Sequence, residues 1–135
     1  VIKLRPARYR SVLTYGAYDT FGPDQIRFLQ QLTRLGTDVI VGCRTDSFSA
    51  HCGLPCTRDF AQRRSMLESC RFVSKVIAQD SFAQIRTDIA NHDICALIAA
   101  PNCAGPFEGL QDIAQILRHD GAEVSRFDNV MSLTA

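Results

Sequence analysis

Short apolar runs alternate along this chain with longer stretches in which apolar residues recur every three or four positions, the pattern of strand–helix units repeated around a parallel sheet. Five runs read as strands, over residues 11–15, 38–43, 73–78, 94–99 and 123–127. Several are apolar almost throughout, as a strand covered on both faces requires. Four intervening segments read as helices. Residues 24–35 set Ile26, Leu29, Leu32 and Leu35 near one face and are followed by Gly36, a favoured residue just past a helix end. Residues 58–70 put Phe60, Leu67 and Cys70 on one stripe, with Thr57 as the expected cap. Arg63 falls on that same stripe, so its charge either snorkels past the core edge or points into a site. Residues 81–92 carry Phe82, Ile85 and Ile89, and residues 107–118 carry Leu110, Ile113, Ala114 and Leu117. The expected fold is α/β, a Rossmann-like three-layer sandwich with a five-stranded, mainly parallel sheet.

In such a sheet the ligand crevice lies in the loops that follow the carboxyl ends of the strands. Three segments therefore matter most: 16–23, 44–57 and 99–106. The second is rich in Ser, Cys, Gly and Pro up to Pro55 and reads as a surface loop.

A chain of 135 residues that is 46% hydrophobic has the length and apolar content of one domain. Its formal charge of +1 lacks the basic excess of a nucleic-acid surface, so no nucleic-acid partner is expected. The charge is uneven. Lys3, Arg5, Arg8 and Arg10 stand in the first ten residues with no acid among them, which leaves residues 11–135 with a net charge of −3. Residues 1–10 thus read as a basic N-terminal arm on a mildly acidic domain, either a solubilising tail or a segment for an acidic partner surface. No run reaches the roughly 18 apolar residues of a transmembrane segment, and the start of the chain lacks the apolar stretch of a signal peptide; a cytoplasmic location is expected.

Without secretion signals, the six cysteines are not expected to form a disulfide framework. Cys43, Cys70 and Cys95 read as small buried hydrophobes. His51, Cys52 and Cys56, with Cys103 or His92, would supply zinc ligands, but no second ligand pair stands at a recognisable spacing, so no metal is assigned.

Thr14-Tyr15-Gly16-Ala17-Tyr18-Asp19, leaving the first strand for the first helix, resembles the opening of the glycerol-3-phosphate cytidylyltransferase family. Arg44-Thr45-Asp46-Ser47-Phe48 is similar to that family's Ser-Thr-Asp-Glu-Phe after strand two. Gln62-Arg63-Arg64-Ser65-Met66-Leu67-Glu68-Ser69-Cys70-Arg71-Phe72-Val73 resembles its Gln-Arg-x-x-Met-Leu-Glu-Ser-x-Arg-Tyr-Val helix, the most specific of the matches. The resemblance implies transfer of CMP from CTP to an alcohol phosphate with release of pyrophosphate, with magnesium and as a homodimer.

The family's His-x-Gly-His signature at the start of the first helix corresponds here to Gly22, Pro23, Asp24 and Gln25, so both histidines are absent. Losing one donor that stabilises developing charge typically costs ~10²–10³ in rate. Gln25 offers only a neutral hydrogen bond. Asp24 would repel a phosphate oxygen by ~4 kcal/mol at ~4 Å and an effective dielectric of ~20, and is also placed to cap the helix. The family's loop lysines correspond to Cys52 and Leu54, its Gly-x-Asp-Trp to Ala100-Pro101-Asn102-Cys103, and its closing Arg-Thr-x-Gly-Ile-Ser-Thr-Thr to residues 126–133 with Arg126 kept. The nucleotide- or phosphate-binding candidates are then Tyr15, Gly16, Asp19, Gln25, Arg63 and Arg126, with no catalytic residue assigned. Gly16 also suits a tight turn without any ligand, and Asp19 suits loop ordering. The leading expectation is a catalytically degenerate member acting as a binding or structural subunit, as a homodimer or with a protein partner. Beside it stand an active cytidylyltransferase using Arg63, Arg126 and Gln25, with magnesium, and a non-catalytic nucleotide sensor that binds CTP or another nucleotide.

Overall fold

The computed structural model describes residues 9–99, 113–119 and 124–126. Its elements run β1 (Tyr9–Gly16), α1 (Pro23–Leu35), β2 (Gly36–Arg44), α2 (Asp46–His51), α3 (Phe60–Glu68), β3 (Lys75–Gln79), α4 (Ile85–Asn91), β4 (Ala96–Ala99), β5 (Gln115–His119) and β6 (Val124–Arg126). The strands form one sheet in the order β3-β2-β1-β4-β5-β6. The first five are parallel, and β6 pairs antiparallel with β5.

Alternation along the strands divides the core into two layers. Val12, Val39, Val41 and Ile98 face Leu29 and Leu32 of α1 and Leu67 of α3, while Leu13, Ile40, Leu97 and Ile116 face Ile85 and Ile89 of α4. This is the expected three-layer α/β arrangement. The chain leaves β1 on one side for β2 and β3 and returns on the other to β4, so the strand order reverses between β1 and β4. The crevice of a doubly wound sheet belongs at that switch point, beyond Gly16 and Ala99.

Three expectations need correction. The expected helix at 107–118 ends in a strand: Ile116 and Leu117 are both buried, but they face opposite layers, which adjacent residues do in a strand and not in a helix. Among the described residues the sheet accordingly has six strands, one more than expected; residues 107–112 lie outside the described residues. The loop expected after β2 contains the short helix α2, whose N-cap Thr45 accepts a hydrogen bond from the Phe48 amide. The cap of α3 is Asp59 rather than Thr57. Asp59 Oδ1 accepts from the Gln62 amide at 2.8 Å and Gln62 Oε1 accepts from the Asp59 amide at 3.2 Å, a reciprocal capping box.

Smaller shifts have local causes. Helix α4 starts at Ile85 rather than residue 81, because the Gln84 side chain accepts from the amides of Asp80 and Ser81 and holds them in a turn. Gly36 does follow α1, but with extended backbone, and it opens β2 directly. Strand β1 starts at Tyr9, so Tyr9 and Arg10 of the expected arm are strand; residues 1–8 lie outside the described residues.

Where β1 and β2 pair, Gly42 lies opposite Tyr15, and a Cβ there would come within 2.2 Å of Tyr15 Cδ1. The ring cannot swing away, because its hydroxyl donates to Asp88 Oδ2 at 2.7 Å. Gly42→Ala is expected to destabilise the protein by about 1–3 kcal/mol, the usual cost of overpacking, read as a lower urea midpoint at unchanged slope.

Candidate functional site

Beyond the carboxyl ends of β1 and β2 the chain forms two loops that meet the approach to α3, and Arg63 lies where they converge. Its side chain is fully buried, so it does not snorkel. Helix α3 directs it inward through the capping box that fixes the helix start and through the neighbouring core residue Leu67, one turn on. Arg63 Nε donates to Arg58 O at 3.0 Å, Nη1 donates to Ala17 O at 2.8 Å and Arg44 O at 2.7 Å, and Nη2 donates to Asp46 Oδ1 at 2.7 Å. Four of the five N–H donors of a guanidinium are thereby directed at protein oxygens. Nη1 also lies 3.6 Å from Cys43 Sγ. Burial pushes that thiol up to about 11, against the opposing pull of Arg63.

Two carboxylates complete the junction. Asp19 sits just after Tyr18, a non-glycine residue with φ of +55°, and its oxygens accept from the amides of Thr57 and Arg58 at 2.8 Å each. Those bonds hold its carboxyl below the ordinary Asp range. Asp46 accepts from Arg63 on one oxygen and from the Phe60 amide on the other at 3.1 Å, and is lowered first by the arginine and then by the amide. The β1–α1 turn, the β2–α2 junction and the start of α3 are thus stitched together by one arginine and two aspartates.

Gly16 ends β1 beneath the Tyr18 ring, where an added Cβ would come within 2.8 Å of Cε2. Close approach of an aromatic ring, with no ligand involved, accounts for the glycine. Tyr15 lies on the α4 side of the sheet. Burial first, and then the Asp88 carboxylate, raise its phenol far above the ordinary tyrosine value. Gln84 Nε2 donates to the same Asp88 oxygen at 2.8 Å and to Ala78 O at 2.8 Å.

At the start of α1, the Gly22 amide donates to Gln25 Oε1 at 2.9 Å. The acceptor end of Gln25 is turned back on its own helix. Asp24 takes no cap role there: it is exposed and pairs with Arg27 at 3.4 Å. The structure therefore brings Asp19 and Arg63 to one junction, sets Gly16 and Gln25 at the two ends of the β1–α1 turn, and places Tyr15 under the sheet. Arg126 lies in β6, and nothing is described of its side chain. Of the third expected loop segment, all but Ala99 lies outside the described residues, as does Cys103.

Sequence reasoning missed Asp46 and Asp88. Asp46 stood inside a matched motif, and its fixed place before Phe48 was the available signal. Asp88 carried none, being one acid on an amphipathic helix. His51, Cys52, Cys56 and His92 do not gather: among the described residues no three His, Cys, Asp or Glu side chains are grouped to hold a metal. No described helix is long and apolar enough to cross a membrane.

The lowered carboxylates set a direction for pH dependence. Asp19 and Asp46 favour the folded state above the ordinary Asp value of about 3.9, and that contribution is lost as pH falls through their lower native values. Carboxyl carbon shifts followed by NMR are expected to show both midpoints below the ordinary value, and Arg63→Met is expected to move Asp46 upward most. Tyr15→Phe removes a donor from buried Asp88 and is expected to cost about 1–3 kcal/mol in chemical unfolding.

Against known proteins, the Cytidylyltransferase-like family profile matches residues 13–134. The chain is 27% identical over 126 residues to glycerol-3-phosphate cytidylyltransferase of Bacillus spizizenii, covering 91% of this chain and 98% of that protein. It is 30% identical over 108 residues to the Staphylococcus aureus protein of the same name, covering 80% and 82%. Among solved structures, the lipopolysaccharide core biosynthesis protein from Thermoplasma volcanium superposes with a TM-score of 0.75 at 16% identity, over 84% of this chain and 98% of that one, and shares the fold. With the profile spanning nearly the whole domain and the β1–α1 turn, the β2 exit and α3 in their expected places, the chain belongs to the cytidylyltransferase-like family.

Proposed function

We propose that this protein is a catalytically degenerate cytidylyltransferase-like domain that serves as a binding or structural subunit. The observation that carries the reading is at the start of α1, where Gly22, Pro23, Asp24 and Gln25 provide no cation and the Gly22 amide is taken by Gln25 Oε1. A helix N-terminus attracts phosphate through its free amides and its dipole. Here one amide is spent internally, Pro23 has no N–H to give, and Asp24 adds negative charge.

The rest of the junction supports this reading. Arg63 directs four of its five donors at protein oxygens and is fully buried, so a phosphate would have to displace Ala17 O, Arg44 O or Asp46 to take a two-pronged hold on it. Magnesium takes oxygen ligands, and the two carboxylates at hand, Asp19 and Asp46, each already accept two hydrogen bonds. No third ligand joins them, for among the described residues no three His, Cys, Asp or Glu side chains gather to hold an ion.

A second reading, an active transferase moving CMP from CTP to an alcohol phosphate, is favoured by the relatives named glycerol-3-phosphate cytidylyltransferase at 27% and 30% identity. One assay separates the two. With CTP, glycerol 3-phosphate and magnesium, no pyrophosphate or CDP-glycerol is expected above the uncatalysed rate, and millimolar CTP with magnesium is expected to leave the melting temperature unchanged. Turnover above background would establish the second reading. A saturable rise in melting temperature without turnover would make the protein a nucleotide sensor.

A further inference from the structure

We propose that Arg63 is a latch that makes the β1–α1 turn, the β2–α2 junction and the approach to α3 open and close as one unit. Its partners come from separate stretches of chain: Ala17 in the turn, Arg44 and Asp46 at the exit of β2, and Arg58 before α3. They meet on a single planar group whose donors are fixed relative to one another, so a carbonyl that shifts on one side tilts the fork away from the others. Flexible, independently hydrogen-bonded loops would not behave this way.

Each aspartate adds a second tie across the same gaps. Asp19 joins the turn to Thr57 and Arg58, and Asp46 joins the start of α2 to the Phe60 amide. The contacts form a closed circuit, and removal of one member loosens the whole.

The circuit also reaches the surface. Phe21, from the β1–α1 turn, lines a groove on the outward face of α3 with Arg58, Gln62, Ser65 and Met66. Displacement of the turn by anything entering the crevice therefore changes the shape of that groove, which shares Arg58 with the circuit around Arg63. This coupling goes beyond the functional reading above and holds whether the crevice turns over a nucleotide, binds one or binds none.

Hydrogen exchange with mass spectrometry on the intact protein tests it. Asp46→Asn removes the carboxylate charge from an exposed position without leaving a hole. Exchange is expected to rise roughly tenfold or more together in peptides covering 17–19, 44–46 and 57–60, with β4 and the centre of β1 unchanged. Arg63→Lys, which keeps the charge but loses the fork, is expected to give the same pattern, and adding Asp46→Asn to it is expected to bring little more, since both act through one group. Faster exchange confined to 44–46 and Phe60 in Asp46→Asn would show that the loops move independently and would overturn the proposal. A uniform rise that included the central strands would overturn it too, by making the interaction a contribution to global stability only. Should Arg63→Lys fail to fold, the Asp46→Asn pattern alone decides.

Discussion

Taking a charged guanidinium out of water is tolerable only where oxygens surround it. Arg63 meets that condition with three main-chain carbonyls and one carboxylate, and the condition dictates much of the surrounding chain. The β1–α1 turn has to bring Ala17 O within reach, the last residue of β2 has to offer its carbonyl inward, and α2 has to begin at Asp46. Carbonyls and turns that would otherwise be free to vary are set by the needs of one side chain. An incoming anion would therefore have to compete for most of the arginine's donors with bonds already made in a low-dielectric setting.

The other face of the sheet has a matching arrangement. Tyr15, Asp88 and Gln84 form a chain of hydrogen bonds that runs from the buried Tyr15–Asp88 pair out to the exposed Ala78 O, tying α4 to β1 and to the end of β3. Beside it the Arg44 side chain lies against Phe48 and Phe82, at 5.7 and 5.9 Å from the ring centres, and those rings meet edge to face. Polar order is thus concentrated at the carboxyl end of the strands on both faces, while the layers behind are filled by Val, Leu and Ile. Such networks specify one arrangement of loops, provided each member finds its partners.

Much of this architecture was legible in the sequence, because burial on both faces leaves strands that are apolar almost throughout. β1 to β4 were found within a few residues on that ground. β5 was not, since Ala114 and Leu117 also fit a helical stripe and the pairing of Ile116 with β4 leaves no local trace. Arg63 shows the limit most clearly. Its position on the buried stripe of α3 was readable, and so was the oddity of a charge there, but its partners lie up to 46 residues away and are mostly main-chain carbonyls, which have no sequence identity to read. Gln25 shows a related limit: the motif comparison considers its carboxamide as a donor, while the contact seen in the folded chain is made by its oxygen, to the Gly22 amide. Asp19 was read as either ordering the loop or binding a ligand, and the two amides it holds belong to a segment 38 and 39 residues further on.

The join between α1 and β2 has one more consequence. Helix ends at Leu35 and strand begins at Gly36, with no residue between them to absorb slack. Adding or deleting one residue in α1 would either rotate its apolar stripe away from the sheet or shift β2 by one position, turning Val39 and Val41 toward the wrong layer. A change of length is therefore costly at this corner and easier to absorb in a segment such as 52–55, where the chain runs between helices without sheet pairing and Gly53 takes a left-handed conformation over open space. The join behind the sheet is thus fixed in residue count by register, whereas the loop between α2 and α3 has room to take up a change.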